Sequence, residues 1–178
     1  MSGKIIIAPE YQEINGPLVF LAGPIQGAYD WQLRATQILQ QLHPEINIAN
    51  PRRPLNHEGD FTEQMYTAQV DWETHHLQMA AYGNAGKGES DRGAVLFWLA
   101  KEAKHFCDRA YAQTTRFELA EWKVKHERDK VNLVVGIEDG FTGARYICRR
   151  MNQDCPEVPI LSTLEETCEK AVEMCYRK

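Results

Sequence analysis

Leu18-Val-Phe-Leu-Ala-Gly-Pro-Ile-Gln-Gly27 is an apolar run that empties into a Gly-Pro turn, with one polar residue inside the turn and a second glycine closing it. Five apolar or small residues in a row, without alternation, read as a strand buried on both faces. Gly27 then frees the backbone ahead of a helical pattern that starts near Tyr29. In an open α/β sheet small ligands bind in the crevice beyond the carboxyl ends of the strands, so this turn is a candidate ligand loop. The same pattern also suits an ordinary strand-to-helix connection.

Working outward, further apolar runs of strand length stand at residues 46–49, 94–99, 131–137 and 158–161. Helical patterns fall between them at residues 31–42, 61–81 and 110–126. A last helix has its own start signal, since Ser162-Thr163-Leu164-Glu165-Glu166 offers a capping box in either of two registers. Strand alternating with helix predicts a parallel sheet covered on both faces. Right-handed crossovers then favour an α/β, flavodoxin-like three-layer sandwich with a five-stranded sheet in the order 2-1-3-4-5. That order sets the first and third strands side by side, so the loops after Ala22 and Leu99 border one crevice.

The chain has 178 residues, which fits a single domain over residues 1–178. A net charge of −5 argues against a grip on a nucleic-acid polymer, which needs a clustered excess of Lys and Arg. The five cysteines, Cys107, Cys148, Cys155, Cys168 and Cys175, are odd in number and form no C-x-x-C pair, as expected of reduced thiols. Ile5-Ile6-Ile7-Ala8-Pro9 is too short for a signal peptide or a membrane span, so the expectation is a soluble, cytoplasmic protein without a membrane partner.

The segment from Gly83 to Gly93 holds four glycines in eleven residues and resembles a phosphate loop only superficially. Two residues, where a P-loop has four, separate Gly83 from Gly86-Lys87, Gly88 replaces the hydroxyl residue, and the strand follows the segment. A flexible connection is the expected reading.

Glu118 is the strongest candidate for chemistry. Thr115-x-x-Glu118 matches a capping box, in which the carboxylate only secures a helix start. A first-turn carboxylate also feels the positive end of the helix dipole, which favours the ionised form a nucleophile needs. Glu121 lies three residues on and reads as structural or solvent-facing. Asp71, in Gln69-Val-Asp-Trp-Glu73, is a candidate second carboxyl, because splitting a glycosidic bond through a covalent intermediate takes one carboxylate as nucleophile and one as acid and base. From spacing alone, Asp71 could equally be an exposed neighbour of Glu73. His75 and His76 are adjacent on a predicted helix, point to different sides and make no i, i+4 metal pair, so no metal is expected. Trp31, Trp72, Trp98 and Trp122 read by default as core, with Trp98 the best placed to stack on a base. Arg52 and Arg53, in the turn Asn50-Pro-Arg-Arg-Pro54, read by default as surface, though either could reach a ligand.

The pieces Phe20-Leu-Ala-Gly-Pro-Ile25, Asp71-Trp-Glu73 and Thr115-Arg-Phe-Glu-Leu119 resemble, in order, motifs of the nucleoside 2-deoxyribosyltransferase family, in the branch with a Phe-Leu-Ala-Gly-Pro-Ile first strand. The resemblance implies cleavage of the N-glycosidic bond of a 2'-deoxyribonucleoside and transfer of the sugar to another purine or pyrimidine base. Glu118 matches the nucleophilic glutamate, and Asp71 resembles the aspartate that handles the base. Gly23, Pro24, Gln26 and Trp98 are then expected to shape the substrate pocket. The sugar-binding aspartate of shorter members lies six residues before the nucleophile, where this chain has Ala112, so Asp108 is the expected substitute. The resemblance further implies no metal or organic cofactor, deoxynucleosides and free nucleobases as partners, and a homo-oligomer with sites near subunit interfaces. Glu138 and Asp139 occupy the region that a neighbouring subunit would contribute. Two rival readings stay open: a deoxynucleoside 5'-monophosphate N-glycosidase, for which Arg52, Arg116 and the backbone of residues 23–27 could form a phosphate clamp, and a non-catalytic nucleotide-binding sensor.

Overall fold

The computed structural model describes residues 2–54, 62–83 and 92–177. Its elements are β1 (Ile5–Ile7), β2 (Leu18–Ala22), α1 (Trp31–Leu42), β3 (Asn47–Asn50), α2 (Glu63–Tyr82), β4 (Ala94–Leu99), α3 (Gln113–Asp129), β5 (Leu133–Ile137), α4 (Ala144–Asp154), β6 (Ile160–Leu161) and α5 (Leu164–Tyr176). All strand pairs are parallel, in the order β1-β3-β2-β4-β5-β6. The expected five strands are β2 to β6 in the expected order, and β1 adds a sixth at the edge. Three isoleucines make that edge, pairing Ile5 with Ile48, Ile6 with Ala49 and Ile7 with Asn50. The eleven-residue helix α4 also lies where no helix was read from the sequence. Ala144, Ile147, Cys148 and buried Met151 recur at helical spacing and pack on the core, so the stripe that marks this helix is present in the sequence.

Side-chain parity along each strand divides the core. Val19 and Leu21 of β2, with Leu96 and Trp98 of β4, pack against α1 and α5. Phe20 and Ala22, with Val95, Phe97 and Leu99, pack on the other side with Trp72 and Leu77 of α2 and Leu119 and Trp122 of α3. Both faces of the central strands are buried, which is why their sequences are continuously apolar. Each large apolar side chain taken fully out of water contributes roughly 1.5–3 kcal/mol. Buried Asn47 is an exception with a reason: Oδ1 accepts from Lys4 N at 3.0 Å, and Nδ2 donates to the carbonyls of Asn15 at 2.8 Å and Pro17 at 3.1 Å, securing the start of the sheet.

The helix starts follow local chemistry. Asp30 caps α1 by accepting from Leu33 N, Thr62 caps α2 by accepting from Met65 N, and Thr163 caps α5. At α5 the second of the two possible registers is used, with Thr163 Oγ1 accepting from Glu166 N at 3.2 Å and donating to Glu166 Oε2 at 2.8 Å. Residues 84–91, the centre of the glycine-rich segment expected to be a flexible connection, lie outside the described residues.

Candidate active site

A cavity of about 690 Å³ opens at the carboxyl ends of β2 and β3, within the range that takes a nucleoside-sized ligand. Its wall is built by Gly23, Pro24, Ile25 and Gln26 after β2, by Pro51, Arg53 and Pro54 after β3, by Tyr66, Gln69, Val70 and Glu73 of α2, and by residues 109–115 with Glu118 around the start of α3.

The loop after β2 holds its shape through close packing. Gly23 has φ +156°, and a Cβ there would stand 2.3 Å from the Trp98 carbonyl oxygen and 2.6 Å from the Trp31 indole. Only glycine passes between the two tryptophans. Trp31 Nε1 donates to the Pro24 carbonyl at 2.9 Å, fixing the turn from below. The Gly27 carbonyl accepts from Ala103 N at 2.8 Å and Lys104 N at 3.0 Å, which joins the loops after β2 and β4.

Arg52 completes this frame. Nε donates to Gln32 Oε1 at 2.9 Å, and Nη2 donates to the carbonyls of Ile25 at 3.1 Å and Tyr29 at 3.0 Å. Arg116 does similar work at the far wall, donating to the carbonyls of Tyr111 and Thr142 and lying over the Phe141 ring at 4.9 Å. Neither residue lines the cavity. The arginines that do are Arg53 and Arg109.

Among the described residues, two carboxyls face the cavity, Glu118 from α3 and Glu73 from α2. Burial, then the charge of Glu73 and then that of Glu121, push Glu118 up to about 8. This reverses the expectation of an ionised first-turn carboxylate. Helix α3 begins at Gln113 after Ala112, which adopts a left-handed conformation and caps nothing with its side chain. Thr115 therefore sits inside the helix, the capping box does not form, and Glu118 lies in the second turn, where desolvation outweighs the dipole. Burial also raises Glu73, opposed by a hydrogen bond from Gln69 and the charge of Arg53.

Asp71 is exposed on α2 and does not line the cavity. Two residues of α-helix turn a side chain through about 200°, so Asp71 and Glu73 point apart. A stripe at Tyr66, Gln69, Val70 and Glu73 faces the cavity and runs on into buried His76, Leu77 and Ala80. That i, i+3, i+4, i+7 spacing is the signal in the sequence that singles out Glu73.

Gly23, Pro24 and Gln26 line the cavity, whereas Trp98 and Asp108 do not. The register pairs Ala22 with Phe97, which puts Phe97 on the α2 and α3 face and turns Trp98 to the opposite one. There Trp98 is 2% exposed, and its Nε1 donates to the Tyr29 hydroxyl at 3.3 Å. Asp108 is exposed on the loop before α3, beside cavity-lining Arg109. Glu138 accepts from Lys101 N at 2.8 Å, Asp139 is exposed, and Glu121 pairs with Lys125 at 2.6 Å.

Among the described residues, no group of three or more His, Cys, Asp or Glu side chains is placed to hold a metal ion. No helix of the described residues is long and apolar enough to cross a membrane.

Sequence comparison with curated proteins returns no match. A family model does match: residues 16–83, a stretch shorter than half the chain that runs from β2 through Glu73 to the end of α2, are similar to the family described as "Nucleoside 2-deoxyribosyltransferase like".

Proposed function

We propose that the protein cleaves the N-glycosidic bond of 2'-deoxyribonucleosides and moves the deoxyribosyl group to another purine or pyrimidine base. The observation that carries this reading is the pairing of Glu118 and Glu73 in one cavity, beside a glycine-shaped loop and inside a fold whose β2-to-α2 segment matches a nucleoside-related family. Glu118 attacks C1' and forms a deoxyribosyl ester as the C1'–N bond breaks. Glu73 gives its proton to the departing base nitrogen, and the incoming base returns a proton to Glu73 as it displaces Glu118. In the empty cavity Glu118 holds a proton up to about pH 8, so attack begins with that proton passing to Glu73, which then gives it to the departing base; one proton serves both half-reactions. Gly23, Pro24 and Gln26 hold the substrate beneath the loop, with the Gln26 amide offered to the base or sugar.

Asp71 stands outside the cavity, and Glu73 of α2, which lines it, takes the role of second carboxyl in this reading. We further propose a homo-oligomer. In its favour, Tyr66 and Val70 at the cavity and Phe117 and Val124 on α3 are exposed apolar side chains.

A second reading, hydrolysis of a deoxynucleoside 5'-monophosphate, draws support from Arg53 and Arg109 in the cavity wall. Incubating the protein with deoxyinosine plus adenine, and separately with deoxynucleoside monophosphates, distinguishes the two. Deoxyadenosine and hypoxanthine are the expected products of transfer. Release of deoxyribose 5-phosphate from the monophosphates, without base exchange in the first mixture, would overturn transfer in favour of hydrolysis.

A further inference from the structure

Three side chains at the cavity wall form one continuous hydrogen-bonded chain. Arg53 Nε donates to Gln69 Oε1 at 2.6 Å, and Gln69 Nε2 donates to Glu73 Oε1 at 2.8 Å. The same Nε2 donates to the Pro51 carbonyl at 2.9 Å, and Arg53 Nη2 donates to the Met65 carbonyl at 3.1 Å. The neighbours dictate how the amide is turned. A guanidinium only donates and a backbone carbonyl only accepts, so the amide oxygen must face Arg53 and the NH2 must face Pro51 and Glu73. The reverse orientation would set donor against donor and acceptor against acceptor.

This fixed donor constrains where Glu73 can hold a proton. A neutral carboxyl has one oxygen that only accepts and one that carries hydrogen, and the amide N–H needs the former. Oε1 is therefore the accepting oxygen in both protonation states, and a proton on Glu73 belongs on Oε2. Among the described residues, the other charged or titratable groups around this wall are Tyr66 on α2 itself, Arg53 after β3, Arg109 and Tyr111 from the loop before α3, and Glu118 from α3.

We infer that Gln69 is a positioning residue of the proposed reaction: clamped by Arg53 and Pro51, it pins Oε1 of Glu73 and reserves the transferable proton for Oε2. The inference rests on the deoxyribosyl-transfer reading of the cavity. In the step it serves, the Oε2–H bond breaks and the proton goes to the base nitrogen. The C1'–N electron pair leaves with that nitrogen, an oxygen of Glu118 bonds C1', and nothing is oxidised or reduced.

The test compares Gln69→Leu and the isosteric Gln69→Glu with the unaltered protein on two substrates, deoxyinosine and p-nitrophenyl 2-deoxyriboside. The nitrophenolate departs without needing a proton, so only the nucleoside depends on the acid. For both variants the expected kcat loss with deoxyinosine is ~30–300-fold, at least ~10 times the loss with the nitrophenyl substrate, and KM stays within ~3-fold. Equal losses on the two substrates, or no loss with deoxyinosine, would overturn the role. Titration of the empty protein by 13C NMR of labelled glutamate carboxyls gives a readout that needs no turnover. Removing the amide donor should raise the Glu73 midpoint in both variants, and an unmoved midpoint would equally overturn the assignment. If the unaltered protein turns over neither substrate, the transfer reading fails, and the NMR titration alone decides whether Gln69 pins Glu73.

Discussion

Glu73 on α2 and Glu118 on α3 line the same cavity, where burial first and the charge of Glu73 second raise the proton affinity of Glu118. Two buried carboxyls on one cavity cannot both ionise cheaply, so the pair retains a proton over the neutral range. Retaining glycoside chemistry uses that state, one carboxyl charged for attack and one neutral for donation. The fold brings the two together from residues 45 positions apart in sequence by parallel crossovers that deliver α2 and α3 to the same face of the sheet.

The division of labour on α2 is tested by two substitutions. Glu73→Gln should lower kcat for deoxynucleosides by ~10²–10⁴-fold, the range for loss of a general acid and base. Asp71→Asn should stay within ~3-fold, because the Asp71 side chain is exposed and outside the cavity. Steady-state kinetics of both variants measures this, and the opposite ranking would reinstate Asp71.

A shared proton shapes the pH dependence. For the free enzyme, kcat/KM should rise as the pair loses its first proton and fall as it loses its second near pH 8, where Glu118 titrates. The two limbs belong to the pair, and Glu73→Gln should abolish the bell. A profile flat from pH 5 to about 9 would contradict a shared proton.

Stability carries the same signature with a definite sign. Glu118 binds its proton up to about pH 8 in the folded chain, and an unfolded glutamate releases it near ~4.3. Between those values the folded state holds more protons, so this group makes stability decline as pH rises through the window, with the penalty complete above it. Glu118→Gln keeps the shape and removes the titration. The variant should gain on the order of 2 kcal/mol relative to the parent at pH 8.5 over its standing at pH 4.5, by urea denaturation.

Gly23→Ala should destabilise the chain by ~2–4 kcal/mol, since the added methyl meets the Trp98 carbonyl oxygen at 2.3 Å and the Trp31 ring at 2.6 Å. Thermal unfolding measures the loss. Residual folded protein should also bind substrate more weakly, because the loop must shift off its two tryptophans.

Much of this was legible in advance for physical reasons. Uninterrupted apolar runs such as Leu18–Ala22 and Ala94–Leu99 exist because both faces of a central parallel strand are covered, so they stand out in the sequence. Edge strand β1 does not, because three isoleucines make a strand only by pairing with β3, a contact separated by more than forty residues. Helix α4 carries an apolar stripe, Ala144, Ile147, Cys148 and Met151, interleaved with three arginines, so its signal is legible but short. Within the cavity, Glu118 was identifiable by motif, but its ionisation depends on Glu73 and on burial that no local pattern records. Trp98 illustrates parity: the apolar run puts it near the end of a strand, but only the register with β2 decides its face, and that register turns it away from the cavity.

The most direct measurement of the central claim is rapid-quench mass spectrometry of the protein mixed with a deoxynucleoside and no acceptor base. A covalent glutamyl mechanism requires one added deoxyribosyl group on the peptide that contains Glu118, absent in Glu118→Ala, which should also lose turnover by at least ~10⁴-fold. Turnover without any adduct, an adduct on another residue, or near-normal turnover in Glu118→Ala would contradict it.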